Sequence, residues 1–125
     1  MDNPALFVPG VPRPHQRPGR AGQHWVQRHD RPQDLCWRTT IRAAWLRQIG
    51  SLRWTGRVSM TLVFVGGRGD LDNLVKAVLD ALGWRGWDDG LAPLYVDDAQ
   101  VDEVYARHVA AGRRDSGVFI CAAPL

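Results

Sequence analysis

Asp70 and Asp72 stand one residue apart, and Lys76 follows Asp72 by four positions as the only lysine in a chain whose other basic residues are all arginines. An ammonium is a compact point charge able to approach a phosphate oxygen or a bound water, where arginine offers a planar fork. Hard divalent cations such as Mg²⁺ or Mn²⁺ take oxygen ligands from a few carboxylates and keep room for water and phosphate. A second acidic pair, Asp97 and Asp98, falls at an expected loop-to-strand junction, from which a third carboxylate could reach the same cation. Adjacent strand residues point to opposite faces, so one of this pair is expected as the ligand, and the spacing leaves open which. Together these groups would suit phosphodiester hydrolysis. The cation would polarise a phosphate oxygen and lower the pKa of an attacking water, while Lys76 would stabilise the developing charge or orient that water. Each half also has a plainer reading. Acids in a first helical turn favour the macrodipole, and Asp72 with Lys76 is an ordinary i, i+4 pair. Asp88-Asp89-Gly90 reads as a solvated turn.

These residues need elements to position them. From Leu71 onward, Leu71, Leu74, Val75, Val78, Leu79 and Leu82 fall on one helical arc, with Asp72, Asn73, Lys76 and Asp80 opposite. Asp70 is placed to cap this helix and Gly83 to end it. Val58 to Val65 alternates as a strand ahead of the Gly66-Gly67-Arg68-Gly69 break. Ala5 to Val8 reads as an edge strand. Residues 10–33, rich in proline and arginine, cannot form a helix and are expected as a long loop. Asp34 to Gly50 reads as a helix with Asp34 as cap and an apolar stripe of Leu35, Ile41, Trp45, Leu46 and Ile49. Strands at 101–109 and 118–122, joined by a basic turn, are expected to close as a hairpin. The β-α-β-α-β-β order predicts an α+β domain spanning 1–125, a small mixed sheet with two packed helices.

A length of 125 residues with 45% hydrophobic residues supports one modest core and excludes wholesale disorder. No apolar run is long enough for a membrane span and no export signal is present, so the expectation is a cytoplasmic protein that does not engage membranes. Cys36 and Cys121 are expected as buried free thiols, and with the four histidines they lack the paired spacing of a zinc site. Net charge is only +3, yet residues 1–69 carry eleven arginines against Asp2, Asp30 and Asp34, while 70–103 carry nine acids against Lys76 and Arg85. A basic surface beside an acidic pocket suits a cation-dependent enzyme acting on nucleic acid. Arg13, Arg17, Arg20, Arg28 and Arg68, all in Pro/Gly-rich stretches, are the candidate phosphate contacts. Trp37, Trp45 and Trp54 are expected in the core; Trp25, Trp84 and Trp87 fall in loop-like segments, where base stacking or a junction wedge is a minority reading.

Asp70-Leu71-Asp72-Asn73-Leu74-Val75-Lys76, then Asp80-Ala81-Leu82 and Asp97-Asp98-Ala99-Gln100-Val101, resembles the signature of the RusA-type Holliday junction resolvases, endonucleases found largely in phages and prophages. Val8-Pro9-Gly10 with Pro12, Arg17 and Pro18 resembles the proline- and arginine-bearing first segment of phage members. The resemblance implies a RusA-like fold and a homodimeric, Mg²⁺-dependent enzyme without a small-molecule cofactor. Such an enzyme cuts two strands of a four-way DNA junction symmetrically. By the same resemblance Asp70, Asp72 and Asp98 match the metal-binding carboxylates, Lys76 the catalytic lysine and Asp97 an accessory acid. The connection over 83–96 is longer than in short members. A related nuclease for forks or other branched DNA is the next reading. A DNA-binding module without catalysis leaves the clustered acids unexplained, because carboxylates repel phosphate unless a cation intervenes. A dehalogenase-type phosphatase would want threonine where Leu74 stands, and Leu74 also occupies a ligand position of an EF-hand.

Overall fold

Strand β4 (Val58–Val65) buries Val58, Met60, Leu62 and Phe64 and turns the alternate residues away, so one face of it is core and the other is not. In the computed structural model, which describes residues 3–14, 19–21, 24–26 and 32–125, this strand lies inside a four-stranded mixed sheet of order β1-β6-β4-β5. Strand β1 (Ala5–Pro9) pairs antiparallel with β6 (Gly117–Pro124), β6 antiparallel with β4, and β4 parallel with β5 (Val101–Val109). Helices α1 (Pro32–Gln48) and α2 (Leu71–Ala81) supply the rest of the core. Leu6 and Val8 of β1 and Val118, Ile120 and Ala122 of β6 complete it from the sheet. The architecture is the expected α+β arrangement. Among the described residues no helix is long and apolar enough to cross a membrane.

The final two strands do not form the expected hairpin. Strand β4 enters between them, and the chain crosses its end through residues 110–116, where a one-turn 3-10 helix forms at Arg113–Asp115. The parallel β4-α2-β5 unit accounts for this, since a helical crossover returns β5 beside β4 and leaves the other edge of β4 for β6. Gly66 permits the crossing: its φ is 73°, and a Cβ there would meet Ser116 Oγ at 2.3 Å. Within the expected 10–33 loop, short strands β2 (Gly19–Ala21) and β3 (His24–Val26) pair antiparallel.

Helix α1 starts at Pro32, suited to a first helical position by its missing N–H, so Asp34 lies in the first turn and is not the cap. Its buried side is not purely apolar. Leu35 is exposed, while Trp37, Ile41, Ala44 and Trp45 pack inward beside the nearly inaccessible Arg38 and Arg42. The Arg42 guanidinium is accommodated by complete pairing: Nε and Nη2 clamp both Asp89 oxygens at 2.8 and 2.7 Å, and further N–H groups reach the carbonyls of Ala81, Gly83 and Leu91. Trp87 stacks over it at 4.5 Å. Asp89, exposed in a turn as expected, is also a structural anchor of the 83–96 connection. Gly50, with φ 110°, donates to Trp45 O and ends the helix as expected. Cys36 and Cys121 are free thiols, but both are exposed and not buried.

Candidate active site

Helix α2 buries Leu74, Ala77, Val78 and Ala81, which leaves its opposite face for Asp72, Lys76 and Asp80. Asp70 occupies the N-cap position and its carbonyl accepts from Leu74 N–H at 3.0 Å, but its side chain makes no cap hydrogen bond. That carboxylate is exposed at the helix start, where the dipole favours negative charge. Asp72, also exposed, accepts from Asn73 N–H at 2.9 Å through Oδ1.

The segment 95–100 brings the second acidic pair to this face. Tyr95 is fully buried and donates its hydroxyl to Leu79 O at 2.7 Å, fixing the segment against α2; burial pushes its phenol well above the ordinary range. Asp97 then caps a 3-10 turn at Asp98–Gln100. Its Oδ1 accepts from Ala99 N–H at 3.0 Å, while Gln100 Oε1 accepts from the N–H groups of Val96 and Asp97, a reciprocal capping box. The Ala99 hydrogen bond, helped by Arg85 with Nη2 3.2 Å from Oδ2, holds the Asp97 carboxyl below its usual value. Asp97 thus shapes the turn that presents its neighbour.

Asp98 meets Lys76: Nζ donates to Oδ2 at 2.7 Å, and the same ammonium lies 3.4 Å from Asp80 Oδ1. The Asp98 hydrogen bond is the main cause of a lysine pKa raised above its ordinary value. Behind Asp80 stands the buried Arg38, with Nη1 3.9 Å from Oδ2. Asp80 was not among the expected site residues, although its i+4 spacing from Lys76 is visible in the sequence; Arg38 and Arg85 have no such signal.

Among the described residues no three His, Cys, Asp or Glu side chains stand grouped as metal ligands. Asp70 precedes Lys76 by six residues, about 9 Å along a helix axis, whereas Asp98 lies against Lys76 itself. The structure therefore brings Lys76, Asp80 and Asp98 together, with Asp70 and Asp72 toward the helix start. Asp70 and Asp72, exposed carboxylates at a helix start and the first without a cap bond, and Asp98, a carboxylate that already holds a cationic group, are oxygen donors of the type a hard divalent cation takes.

Of the arginines expected to contact phosphate, Arg68 lines a cleft beside Asp70, and Arg13 lines it too while donating through Nε to Asp34 at 2.8 Å. Arg20 lies on β2; Arg17 and Arg28 fall outside the described residues. Trp37 and Trp45 are core, Trp54 packs partly buried against it, and Trp84 is exposed.

With this geometry in place, comparison with known proteins adds one match. The family model described as endodeoxyribonuclease RusA matches residues 9–120, which take in both acidic segments and Lys76. No curated protein matches the chain.

Proposed function

The chain belongs to the RusA family of endodeoxyribonucleases, and from that premise we propose that it resolves four-way DNA junctions by divalent-cation-dependent phosphodiester hydrolysis, with paired symmetric incisions. The observation that carries this reading is the contact of Lys76 with Asp98 on the polar face of α2, inside the matched residues. Asp70, Asp72 and Asp98 would hold the cation, Mg²⁺ with Mn²⁺ as a substitute. When bound, it supplies neutralisation of phosphate charge and activation of the attacking water.

The chain's own groups account for the remainder. Lys76 stays charged at neutral pH, since its pKa is raised, and its ammonium would stabilise the charge that develops on the phosphate oxygens. Asp80 offers that ammonium a second acceptor at 3.4 Å, limiting its rotamer freedom. Asp97 keeps Asp98 on the turn facing α2 through the capping box.

Symmetric cutting calls for two identical sites related by a two-fold axis, which a homodimer provides. The sheet face turned away from the helices supports such a dimer, because it exposes Phe7 and Phe119, whose rings meet at 4.5 Å, together with Tyr105 and Val109. A reducing cytoplasm suits the two exposed thiols.

The test is a substrate panel. A labelled four-way junction, its matched duplex and a flap are incubated with the purified protein, with and without Mg²⁺. Cleavage of the junction alone, only with Mg²⁺, is expected. Preferential cutting of flaps would transfer the assignment to a related branched-DNA nuclease, and binding without cleavage of any substrate would refute the catalytic reading.

A further inference from the structure

Gln100 uses both ends of its side-chain amide. Oε1 accepts from the N–H groups of Val96 and Asp97, both at 3.0 Å, while Nε2 donates to Trp54 O at 2.7 Å and to Gly56 O at 2.9 Å. Two N–H groups face one end and two carbonyls the other, so a flipped amide would set donor against donor and acceptor against acceptor. The first pair belongs to the capping box. The second ties the acidic turn to the stretch ahead of β4, 44 to 46 residues earlier in sequence.

That stretch is a firm anchor. Leu52 N–H donates to Pro93 O at 3.0 Å, Arg53 N–H to Ala92 O at 3.1 Å and Trp54 N–H to Leu94 O at 2.8 Å, and Trp54 forms a parallel bridge with Tyr95. The fully buried Trp45 donates its indole N–H to the same Pro93 carbonyl at 2.8 Å. The turn carrying Asp98 is thus gripped from two sides: Tyr95 fixes it to α2 through Leu79 O, and Gln100 fixes it to the entry of the sheet. Arg57 Nη2 adds a bond to Ala99 O at 2.8 Å, but its side chain is 54% exposed and is shared with Asp102. A half-buried amide with four partners has little freedom to relax, and it stands two residues from the carboxylate that meets Lys76.

We propose that Gln100 is a positioning residue, which sets the Asp98 carboxylate against Lys76 and toward the cation by bridging the acidic turn to Trp54 and Gly56. The inference rests on the proposed function and adds to it a residue that touches neither phosphate nor cation. Groups that orient a ligating side chain from behind typically matter about 10- to 100-fold in metal affinity or activity.

The experiment reads the contact and the cation dependence separately. Lys76 is the only lysine, so protein grown on ¹³Cε-labelled lysine reports its surroundings as a single resonance, without cation or substrate. Gln100→Glu is the informative variant: its carboxylate still accepts from Val96 and Asp97 N–H but has no hydrogen for Trp54 O and Gly56 O. Gln100→Met removes both halves without adding charge, and Asp98→Ala gives the resonance of the lost contact. Ser51→Ala, which deletes a hydroxyl hydrogen-bonded to Ala92 in the same anchor, is the control for lost stability alone. Urea unfolding establishes that each variant is folded under the conditions used. Both Gln100 resonances are expected to move toward that of Asp98→Ala, with Ser51→Ala at the wild-type position. In single-turnover cleavage of a four-way junction, both Gln100 variants should need about 10- to 100-fold more Mg²⁺ for half-maximal rate, with junction affinity in EDTA unchanged. Gln100→Glu with the wild-type resonance, or with the wild-type Mg²⁺ dependence, would overturn the proposal, as would an equal change in Ser51→Ala. Should Gln100→Glu not fold, Gln100→Met decides by the same criteria. A wild type that never cuts overturns the hydrolytic reading, and the resonance alone then decides whether Gln100 sets the contact of Asp98 with Lys76.

Discussion

Lys76 Nζ lies 2.7 Å from Asp98 Oδ2, joining the polar face of α2 to the turn that begins β5 across 22 residues of sequence. The pair is half-exposed, so it contributes little to stability; exposed ion pairs are worth about 0 to 1 kcal/mol. Its value lies in placement. An ammonium already aimed at the carboxylate face needs little reorganisation to meet a phosphate there.

Lys76→Arg should accordingly be nearly as inactive as Lys76→Ala. A guanidinium is bulkier, spreads its charge, and would not fit between Asp80 and Asp98 as the ammonium does. Single-turnover cleavage at saturating enzyme should fall by about 10² to 10³, the effect of losing one well-placed transition-state donor. If the lysine served only as an ion-pair partner, arginine would retain most of the rate.

Asp72→Asn should abolish cleavage while leaving junction binding in place. Asparagine keeps an oxygen to accept from Asn73 N–H, so the helix start is preserved. Removing a charge forfeits a favourable dipole contact but also relieves repulsion with Asp70, so cation-free stability should change by less than about 0.5 kcal/mol. Thermal unfolding and a cleavage time course check both halves.

Arg42→Met should destabilise the fold by about 3 kcal/mol, since three carbonyls and Asp89 lose their buried partner. Urea unfolding would show a lower midpoint at unchanged slope. The same pair sets an acid limit. The Arg42 hydrogen bond lowers the Asp89 pKa from 3.8 to about 2, so its stabilisation is fully present above the unfolded value and is lost as pH falls through the folded one. Asp89→Asn should flatten the loss of stability between about pH 4 and 2.

Phe119→Arg should convert the proposed dimer into a monomer. Phe119 is 50% exposed on the sheet face turned away from the helices, so folding tolerates the change, whereas an apolar contact between two copies would not. Sedimentation at micromolar concentration distinguishes the two forms; a monomeric wild type would remove the basis for paired incision.

Much of α2 was legible because its two faces separate cleanly, with Leu74 and Val78 inward and Asp72, Lys76 and Asp80 outward. The break at Gly66-Gly67 was equally plain from composition. Strand order was not. A basic turn between two strands looks like a hairpin in one dimension, and only the parallel return of β5 beside β4 shows that β6 must pair elsewhere. Helix α1 misled for another reason: an apolar stripe places arginines outside, yet Arg42 is buried by partners 39 to 47 residues away in sequence, Ala81, Gly83 and Asp89. Asp97 and Asp98 were visible as a pair, but the division of labour between them depends on a capping box that no spacing rule reveals.

Cation-dependent paired cleavage of a junction by a dimer of this chain is tested by mapping incisions on a four-way junction labelled in turn on each strand, in Mg²⁺ and in EDTA. Two cuts at symmetric positions on opposing strands are expected in Mg²⁺ and none in EDTA. Equal cutting in EDTA, or incisions scattered without symmetry over junction and duplex alike, would contradict it.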